Sequence, residues 1–564
     1  MKKILLTLSI LCALILGSYL RLHQLGSIPW ALNRDEASIG YNAYSILKTG
    51  HDEHGVFWPI NVESFGDWKL PIYMYASIPF ISLFGLNAWA VRLPSALAGI
   101  ALIPAAYYFF LSFNNKKNNT SVAIAHVFSW LVAISPWSLR LSRIAYEANL
   151  ALLLAVLGAA FIVRGILSKK ASYLIPGLFL AFSTMLTYHA YQVFMPLFLV
   201  VLLITYRIEI LTILKQQRGL VVSSVFVAVL FGLVLLVGNT SDANQTKYSG
   251  LSAFSEETYH FRLFDKRMAF GDPTSLQAKI YANSVSMIVE NLTQNVAAIL
   301  SPEFLVINGG SHGSHDIQGI GNMYVITGLL VIIGIFYTFR NPSVSRKTRV
   351  STVLIGWLCV GFVAPVITTE AAHSIRFSPA LFAFEGLAAY AIVTLLQNLQ
   401  KPVLRFSVVG FISLSLIYSL IQTTGTYFVI FPQRDHHKWP WYSQQVSLDI
   451  LTLQSNYKQI IFPQIDSSPY IFLLFDWQYD PTQLAENLEY YTTDSGGFKH
   501  ASRLENIYFI PMDWKAFVSS SEPLLTFSEA QEFEKQNLRA DDYKILKKYE
   551  SNNAESTFYL ISNE

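Results

Sequence analysis

Long apolar runs alternate with short polar segments along most of the chain. Taking about 18 to 20 apolar residues as one membrane crossing, the pattern predicts helical spans near 4–20, 90–111, 121–138, 148–166, 172–188, 190–206, 219–238, 323–340, 350–368, 378–397 and 404–426. That is about eleven crossings. Segment 72–86 is apolar but short and is broken by Pro71 and Pro79, so it reads as an interfacial helix or the lead-in to the second span. Segment 284–300 is amphipathic and ambiguous in the same way. Beyond the last span the pattern changes. Short strand-like runs at 459–462 and 507–510 alternate with helix-like runs at 443–456 and 528–537, which predicts a small α/β module. The expected division is a transmembrane module over 1–430, with outer loops at 21–89 and 239–322, followed by an extracytoplasmic α/β domain over 431–564.

Composition agrees with an α-helical polytopic membrane protein. Of 564 residues 52% are apolar and only 14% charged, whereas a soluble domain carries roughly a quarter charged residues. A net charge of +3 is too small to point to nucleic acid. Cys12 and Cys359 both lie in apolar runs, so neither a disulfide framework nor a thiolate metal site is available. Met1-Lys2-Lys3 and the apolar run through Tyr19 have the form of a signal peptide without a clear small-x-small cleavage site, which predicts an uncleaved first span.

Charge sets the expected orientation. With the amino terminus cytoplasmic, the inner segments carry Lys2, Lys3, Lys116, Lys117, Arg164, Lys169, Lys170, Arg207, Lys215, Arg218, Arg340, Arg346, Lys347, Arg349, Lys401 and Arg405, with Glu209 the only acid among them. This is the asymmetry of the positive-inside rule. The opposite face then receives the first outer loop, the turns around 140–147, 188–192 and 369–376, the long loop 239–322 and everything after about 427. The unusual polar residues thus gather on one side. The aromatic stretches 427–431 and 439–442 read as an interfacial collar, with sugar stacking the sharper alternative.

The first outer loop concentrates the candidate chemistry. Asn33-Arg34-Asp35-Glu36-Ala37 opens an amphipathic helix. An acid there caps and complements the helix dipole, and a carboxylate at the water boundary also suits a general base. His51-Asp52-Glu53-His54 is dense in potential metal ligands, but four consecutive residues cannot all face one ion, and before Gly55 they also read as a polar turn. In Asp67-Trp68-Lys69-Leu70-Pro71, Lys69 is either a snorkelling lysine beside an interfacial tryptophan or a point charge for a phosphate. Arg143, beside Tyr146 and Glu147, and Arg376, beside Glu370 and His373, are outer-side cations, for which phosphate binding and acid pairing are both adequate reasons. His189 sits between two spans as either a site residue or an interfacial histidine. Ser311-His312-Gly313-Ser314-His315-Asp316 reads as a loop able to close over a site, or as a plain Gly-containing turn.

These residues carry a resemblance. Arg34-Asp35-Glu36-Ala37 after a first span, the Lys69-Leu70-Pro71 entry to the next, and the phrases Ser142-Arg143-Ile144-Ala145-Tyr146-Glu147-Ala148-Asn149, Ser301-Pro302-Glu303-Phe304-Leu305 and His373-Ser374-Ile375-Arg376 resemble the GT-C superfamily of polyprenyl-phosphate-sugar transferases. More narrowly, they are similar to bacterial relatives of protein O-mannosyltransferase and of the lipid A aminoarabinose transferase, glycosyltransferase family 39-like proteins of the cell envelope. The resemblance implies a lipid-linked sugar donor, inversion at the anomeric carbon, a catalytic aspartate falling on Asp35 with Glu36 beside it, and a phosphate-binding lysine falling on Lys69. The chain departs from the Lys-Pro-Pro pattern at Leu70 and has Asp67 where the aminoarabinose transferase has a glutamate.

The expected protein is a multi-pass enzyme of the plasma membrane with its site outside. Asp35 and Glu36 are the catalytic candidates, and Lys69, Asp67, Arg143, His189, His373 and Arg376 the substrate-binding ones. The expected partners are a polyprenyl-phosphate sugar, a glycan, lipid or protein acceptor, and membrane lipids. The sequence shows no required cofactor and leaves a divalent metal open, with His51, Asp52, Glu53 and His54 as its weak candidates. A transporter or flippase of lipid-linked saccharides is the alternative; it would place key charges at the bilayer midplane, and the absence of a detectable hydropathy repeat speaks against it. A non-catalytic scaffold acting through 432–564 is the third reading.

Overall fold

The computed structural model describes residues 2–113, 119–239, 256–310, 313, 315–340, 349–463, 468–493 and 499–564. Lys116, Lys117, Arg346 and Lys347 of the expected inner segments lie outside the described residues, as do Ser311, His312 and Ser314 of the expected closing loop. The chain folds as two compact units. One comprises Met1–His23 and Ser95–Thr426, the other Gln24–Pro94 and Tyr427–Glu564.

The first unit is helical. Each expected span coincides with an apolar helix, but the helices differ in length. Among the described residues five are long and apolar enough to cross a membrane: Ala88–Ser112, Glu147–Ser168, Arg218–Leu236, Ser374–Asn398 and Pro402–Arg434. A sixth arises if Ala190–Thr205 and Arg207–Gln216, bent by 84° at Tyr206, count as one span. The other expected spans are shorter helices, among them Leu6–Leu22, Asn119–Ile134 and Val325–Arg340. Proline accounts for one of the shortened runs. Pro136 disfavours helical geometry at Ser135, so the run 121–138 divides into Asn119–Ile134 and Pro136–Leu141. Helices Glu147–Ser168 and Ala171–Ser183 form a tight hairpin. A Cβ on Gly158 would stand 2.9 Å from the Ala181 nitrogen, and one on Gly177 would stand 2.7 Å from that of Ile162. Small residues let the two backbones approach, the usual route to helix contact in lipid.

The second unit joins the first outer loop to the carboxyl-terminal residues, so the compact units do not follow a division at residue 430. The reason lies in contacts across more than 400 residues. A Cβ on Gly40 would meet Phe475 at 2.5 Å, the Tyr41 hydroxyl donates to the Tyr479 carbonyl at 3.2 Å, and the Lys499 amide donates to the Phe65 carbonyl at 3.1 Å. Strands β1 (Val62–Ser64) and β2 (Asp67–Lys69) make a hairpin. The remaining strands, β3 (Gln459–Ile461), β4 (Leu488–Tyr490), β5 (Ala501–Leu504), β6 (Ile507–Tyr508), β7 (Leu524–Glu529), β8 (Lys544–Glu550) and β9 (Thr557–Ser562), form one sheet in the order β4-β5-β6-β3-β7-β9-β8. β3 is parallel to β6 and β7, and the other pairs are antiparallel. Helices Ser443–Leu453 and Ala530–Glu534 fall where the helix-like runs were expected. In the aromatic stretches several rings pack inside the unit, while Val429 and Ile430 are exposed. Trp30 stacks on His436 with centroids 4.9 Å apart, Tyr442 packs on Phe558 at 4.4 Å, and Tyr427, Trp439 and Trp441 are buried. These rings have each other and the sheet as partners.

Candidate active site

In the second unit the helix Arg34–Thr49 carries the first acidic pair. Asn33 and Glu36 form a capping box, with the Glu36 amide donating to Asn33 Oδ1 at 2.9 Å and the Asn33 amide donating to Glu36 Oε2 at 3.2 Å. Gly50, at φ 77°, closes the other end in the left-handed conformation that glycine adopts without penalty.

Asp35 and Glu36 are neighbours with opposite surroundings. Glu36 is buried and takes a bidentate pair from Arg92, at 2.9 Å from Nε and 3.0 Å from Nη2. Arg92 also donates to the carbonyls of Leu25, Pro29 and Ala31. The pair therefore pins the approach to the helix, and Glu36, expected as a catalytic partner, lies buried in it with no solvent face. Asp35 is 48% exposed and lies 2.7 Å from the ammonium of Lys69, which is only 7% exposed.

Lys69 is placed by the β-hairpin. Phe65 and Gly66 both have positive φ, 62° and 78°, as a two-residue turn matched to strand twist requires. The register then pairs Val62 with Lys69 and Ser64 with Asp67. Pro71 follows as the first residue of the helix Pro71–Phe84, where a missing N–H costs nothing. Asp67 is on the strand, and its side chain lies outside the described residues. Arg34 stands over the Phe65 ring at 5.5 Å.

The set 51–54 folds as a polar turn. Asp52 Oδ1 accepts from the amides of His54 and Val56, and His51 Nδ1 lies 2.9 Å from the Thr49 carbonyl. Glu53 is buried, with the Asn42 amide group at 2.9 Å and the Tyr470 hydroxyl at 3.3 Å. Burial pushes the Glu53 carboxyl up to about 8 and His54 down to about 4, and raises Asp52. Among the described residues no group of three or more His, Cys, Asp and Glu side chains could hold a metal ion.

The first unit holds the remaining candidates. Arg143 is fully buried, and its Nη1 donates to the carbonyls of Leu20 and Arg21 at 2.9 and 3.2 Å. A cation at a helix carboxyl end satisfies its last carbonyls, so Arg143, expected as a phosphate contact, caps the first helix with no exposed face. Arg376 is part-exposed and donates to the Glu370 carbonyl at 3.2 Å. His373 precedes the helix Ser374–Asn398, and its ring lies 4.8 Å from that of His315. His315 Nδ1 is 2.6 Å from the Tyr146 hydroxyl. His189 precedes the helix Ala190–Thr205 and is half-buried. The structure therefore joins Asp35 to Lys69, and His373 to His315 and Tyr146.

Arg21, Arg92 and Arg140, all buried, were not singled out in the sequence reading; Arg21 donates to the Ala133 and Val132 carbonyls at 3.0 Å each. Arg92 lies in an apolar run, and its partner is 56 residues away. Arg140 pairs with Asp316 at 3.0 Å and with Asn322 Oδ1 at 2.6 Å, and Asp316 accepts from Ser374 at 2.5 Å. The one available signal was an arginine among apolar neighbours, which needs a buried partner.

No protein-family model matches the chain. Its fold aligns with that of ArnT from Cupriavidus metallidurans bound to undecaprenyl phosphate, with a TM-score of 0.52 over 99% of this chain and 98% of that one. The chain has the GT-C fold. At 11% identity the GT-C likeness is one of fold. Over 173 residues the chain is 27% identical to the "Putative mannosyltransferase YycA" of Bacillus subtilis (strain 168), a match spanning 30% of this chain and only 22% of that protein. Oligosaccharyltransferase AglB from Archaeoglobus fulgidus, in complex with an inhibitory peptide and a dolichol-phosphate, aligns at a TM-score of 0.45 and 12% identity over 84% of this chain and 64% of that one.

Proposed function

We propose that this chain is a membrane glycosyltransferase that moves a sugar from a polyprenyl-phosphate donor to an acceptor hydroxyl on the extracytoplasmic side of the plasma membrane. The observation that carries the reading is the Asp35–Lys69 pair: an accessible carboxylate on a capped helix, beside a buried ammonium on a rigid hairpin. The GT-C fold supports it, since ArnT in that fold was captured with undecaprenyl phosphate. Asp35 removes the proton from the acceptor hydroxyl as that oxygen attacks the anomeric carbon. The bond from that carbon to the phosphate oxygen breaks, the configuration inverts, and the phosphate departs with the electron pair. A phosphate leaves without a general acid, so a cation serves where a hydrolase uses a second carboxyl. Lys69 turns from Asp35 to the donor phosphate on binding, which also frees the carboxylate as a base. Arg376, the more exposed of the two outer arginines, is the second cation. The step as written uses no cofactor.

The test uses membranes carrying the full chain, a labelled polyprenyl-phosphate mannose and envelope acceptors. Asp35→Asn lowers transfer by about 100-fold or more, the usual worth of a positioned base. Near-normal transfer by that variant sinks the assignment. Mass spectrometry of envelope glycans with and without the gene then identifies the product.

One observation favours the flippase alternative. Glu385 is buried midway along Ser374–Asn398, and its Oε2 has no hydrogen-bond partner among the described residues. Intramembrane carboxyls mark transport paths as well as structural sites. Flux of labelled lipid across vesicles without sugar transfer, lost in Glu385→Gln, would establish that reading instead.

A further inference from the structure

The second unit contains a cavity of about 410 Å³ that the transfer step does not use. It lies at the carboxyl end of the Arg34–Thr49 helix, between the turn 51–55 and the segment 481–490. At 1.5 Å per residue Thr49 is about 21 Å along the helix from Asp35, so this is a separate place. The size falls in the range of small-molecule sites, roughly 300–1,000 Å³.

Its walls restrict what can enter. Leu484, Leu488 and Tyr490 supply an apolar side, and Asp52 and His54 a polar one. Asp52 is 4% exposed, and its Oδ2 has no hydrogen-bond partner among the described residues; His54 Nε2 has none either. A buried polar atom without a partner is costly, so both call for a hydrogen-bonding guest. The lining holds no lysine or arginine, and Lys499, 4.7 Å over the Tyr490 ring, is paired with Glu63 at 3.8 Å, which leaves the Asp52 carboxylate to disfavour a phosphate or any other anion. An alkyl chain would leave the polar wall unsatisfied. A ligand with hydroxyls on one face and C–H groups on the other satisfies both walls.

We propose that this cavity is a carbohydrate-binding site that takes one uncharged sugar unit. Asp52 Oδ2 accepts from a ring hydroxyl, His54 Nε2 bonds a second, and the C–H face rests on Tyr490 and Leu488. Burial holds Glu53 protonated and His54 neutral near pH 7, which suits an uncharged guest. The site does not depend on the transferase reading. If transfer occurs at Asp35, a sugar held here belongs to a distal part of an acceptor glycan.

The experiment is ligand-observed NMR and calorimetry on the full chain in detergent. The probes are methyl α-mannoside, methyl β-glucoside, N-acetylglucosamine and maltose, with glucosamine as the cationic arm and glucose 6-phosphate as the anionic one. At least one neutral sugar binds saturably in the millimolar range. Ala485→Trp, at an exposed position on the rim, and Asp52→Asn, which keeps the Oδ1 acceptor of the turn, each weaken that binding about tenfold or more. Asp35→Asn leaves it unchanged, which separates this site from the transfer step. No saturable neutral sugar, binding indifferent to Ala485→Trp, or preference for glucosamine or the sugar phosphate overturns the proposal. A cavity holding only water gives the first of those results. Thermal unfolding of both variants verifies that they are folded, and the rim variant alone suffices if Asp52→Asn is not.

Discussion

The buried cations of the helical unit and the exposed pair of the loop unit hold similar charges in different ways. Arg143 and Arg140 are enclosed, and their guanidinium groups meet helix-end carbonyls or a buried aspartate. Arg92 and Glu36 follow the same rule at the edge of the loop unit. Asp35 and Lys69 do not: one partner is buried and the other half in solvent. A closed pair resists rearrangement because separating it strands a charge in low dielectric. An open pair exchanges one partner for a ligand at little cost. The candidate chemistry lies with the open pair.

Adjacent substitutions break this comparison most sharply. Glu36→Gln leaves Arg92 buried beside a neutral group and costs about 3–5 kcal/mol of stability, read as a lower unfolding midpoint and a loss of extractable protein. Asp35→Asn loses transfer with a smaller fall in the midpoint, since Asp35 is half in solvent although Lys69 is buried. If the two variants exchange these phenotypes, the assignment of base and anchor is reversed.

The next contrast is between cations. Lys69→Met weakens binding of polyprenyl phosphate about 10- to 100-fold, the worth of one charged hydrogen bond at about 1.5–3 kcal/mol, with the fold intact. Arg143→Met costs a similar free energy, but as stability, because it uncaps the first helix. Isothermal titration with undecaprenyl phosphate, paired with thermal unfolding, separates the two. Arg143 returns as a donor contact if its variant is stable and loses affinity.

Much of this was legible along the chain, and the exceptions share a cause. The apolar runs locate the helices because burial in lipid needs nothing beyond local composition. Asp35 and Lys69 stand out because charge between long apolar runs is unusual, and the helix cap at Asn33 is a local signal. The pairing of Glu36 was not legible because its partner, Arg92, lies inside an apolar run and nothing near Glu36 announces it. The surroundings of Arg143 were not legible because its partners are carbonyls, which leave no trace in sequence. The union of 24–94 with 427–564 rests on Gly40 against Phe475 and Tyr41 against Tyr479, contacts between segments with no common pattern.

The smallest expected effect concerns the buried acid of the loop unit. Glu53 sits among Asn42, Tyr470, Asp52 and Glu63, and its folded value of about 8 lies above the 4.5 of a free glutamate. The folded state holds the proton that the unfolded state has lost, so stability falls as pH rises between those values. His54, lowered from 6.5 to about 4, works the other way: the unfolded state holds the extra proton, and stability falls as pH drops below 6.5. Where the two windows overlap their slopes oppose, and from pH 6.5 to 8 the loss from Glu53 is joined, up to about 7, by that from Asp476, which burial also raises. Over that interval the Glu53 share is at most about 2 kcal/mol, visible as a falling unfolding midpoint. Glu53→Gln keeps the contacts with Asn42 and Tyr470 and flattens the slope. An equally steep slope in the variant would place the titrating group elsewhere and leave Glu53 ionised in the fold.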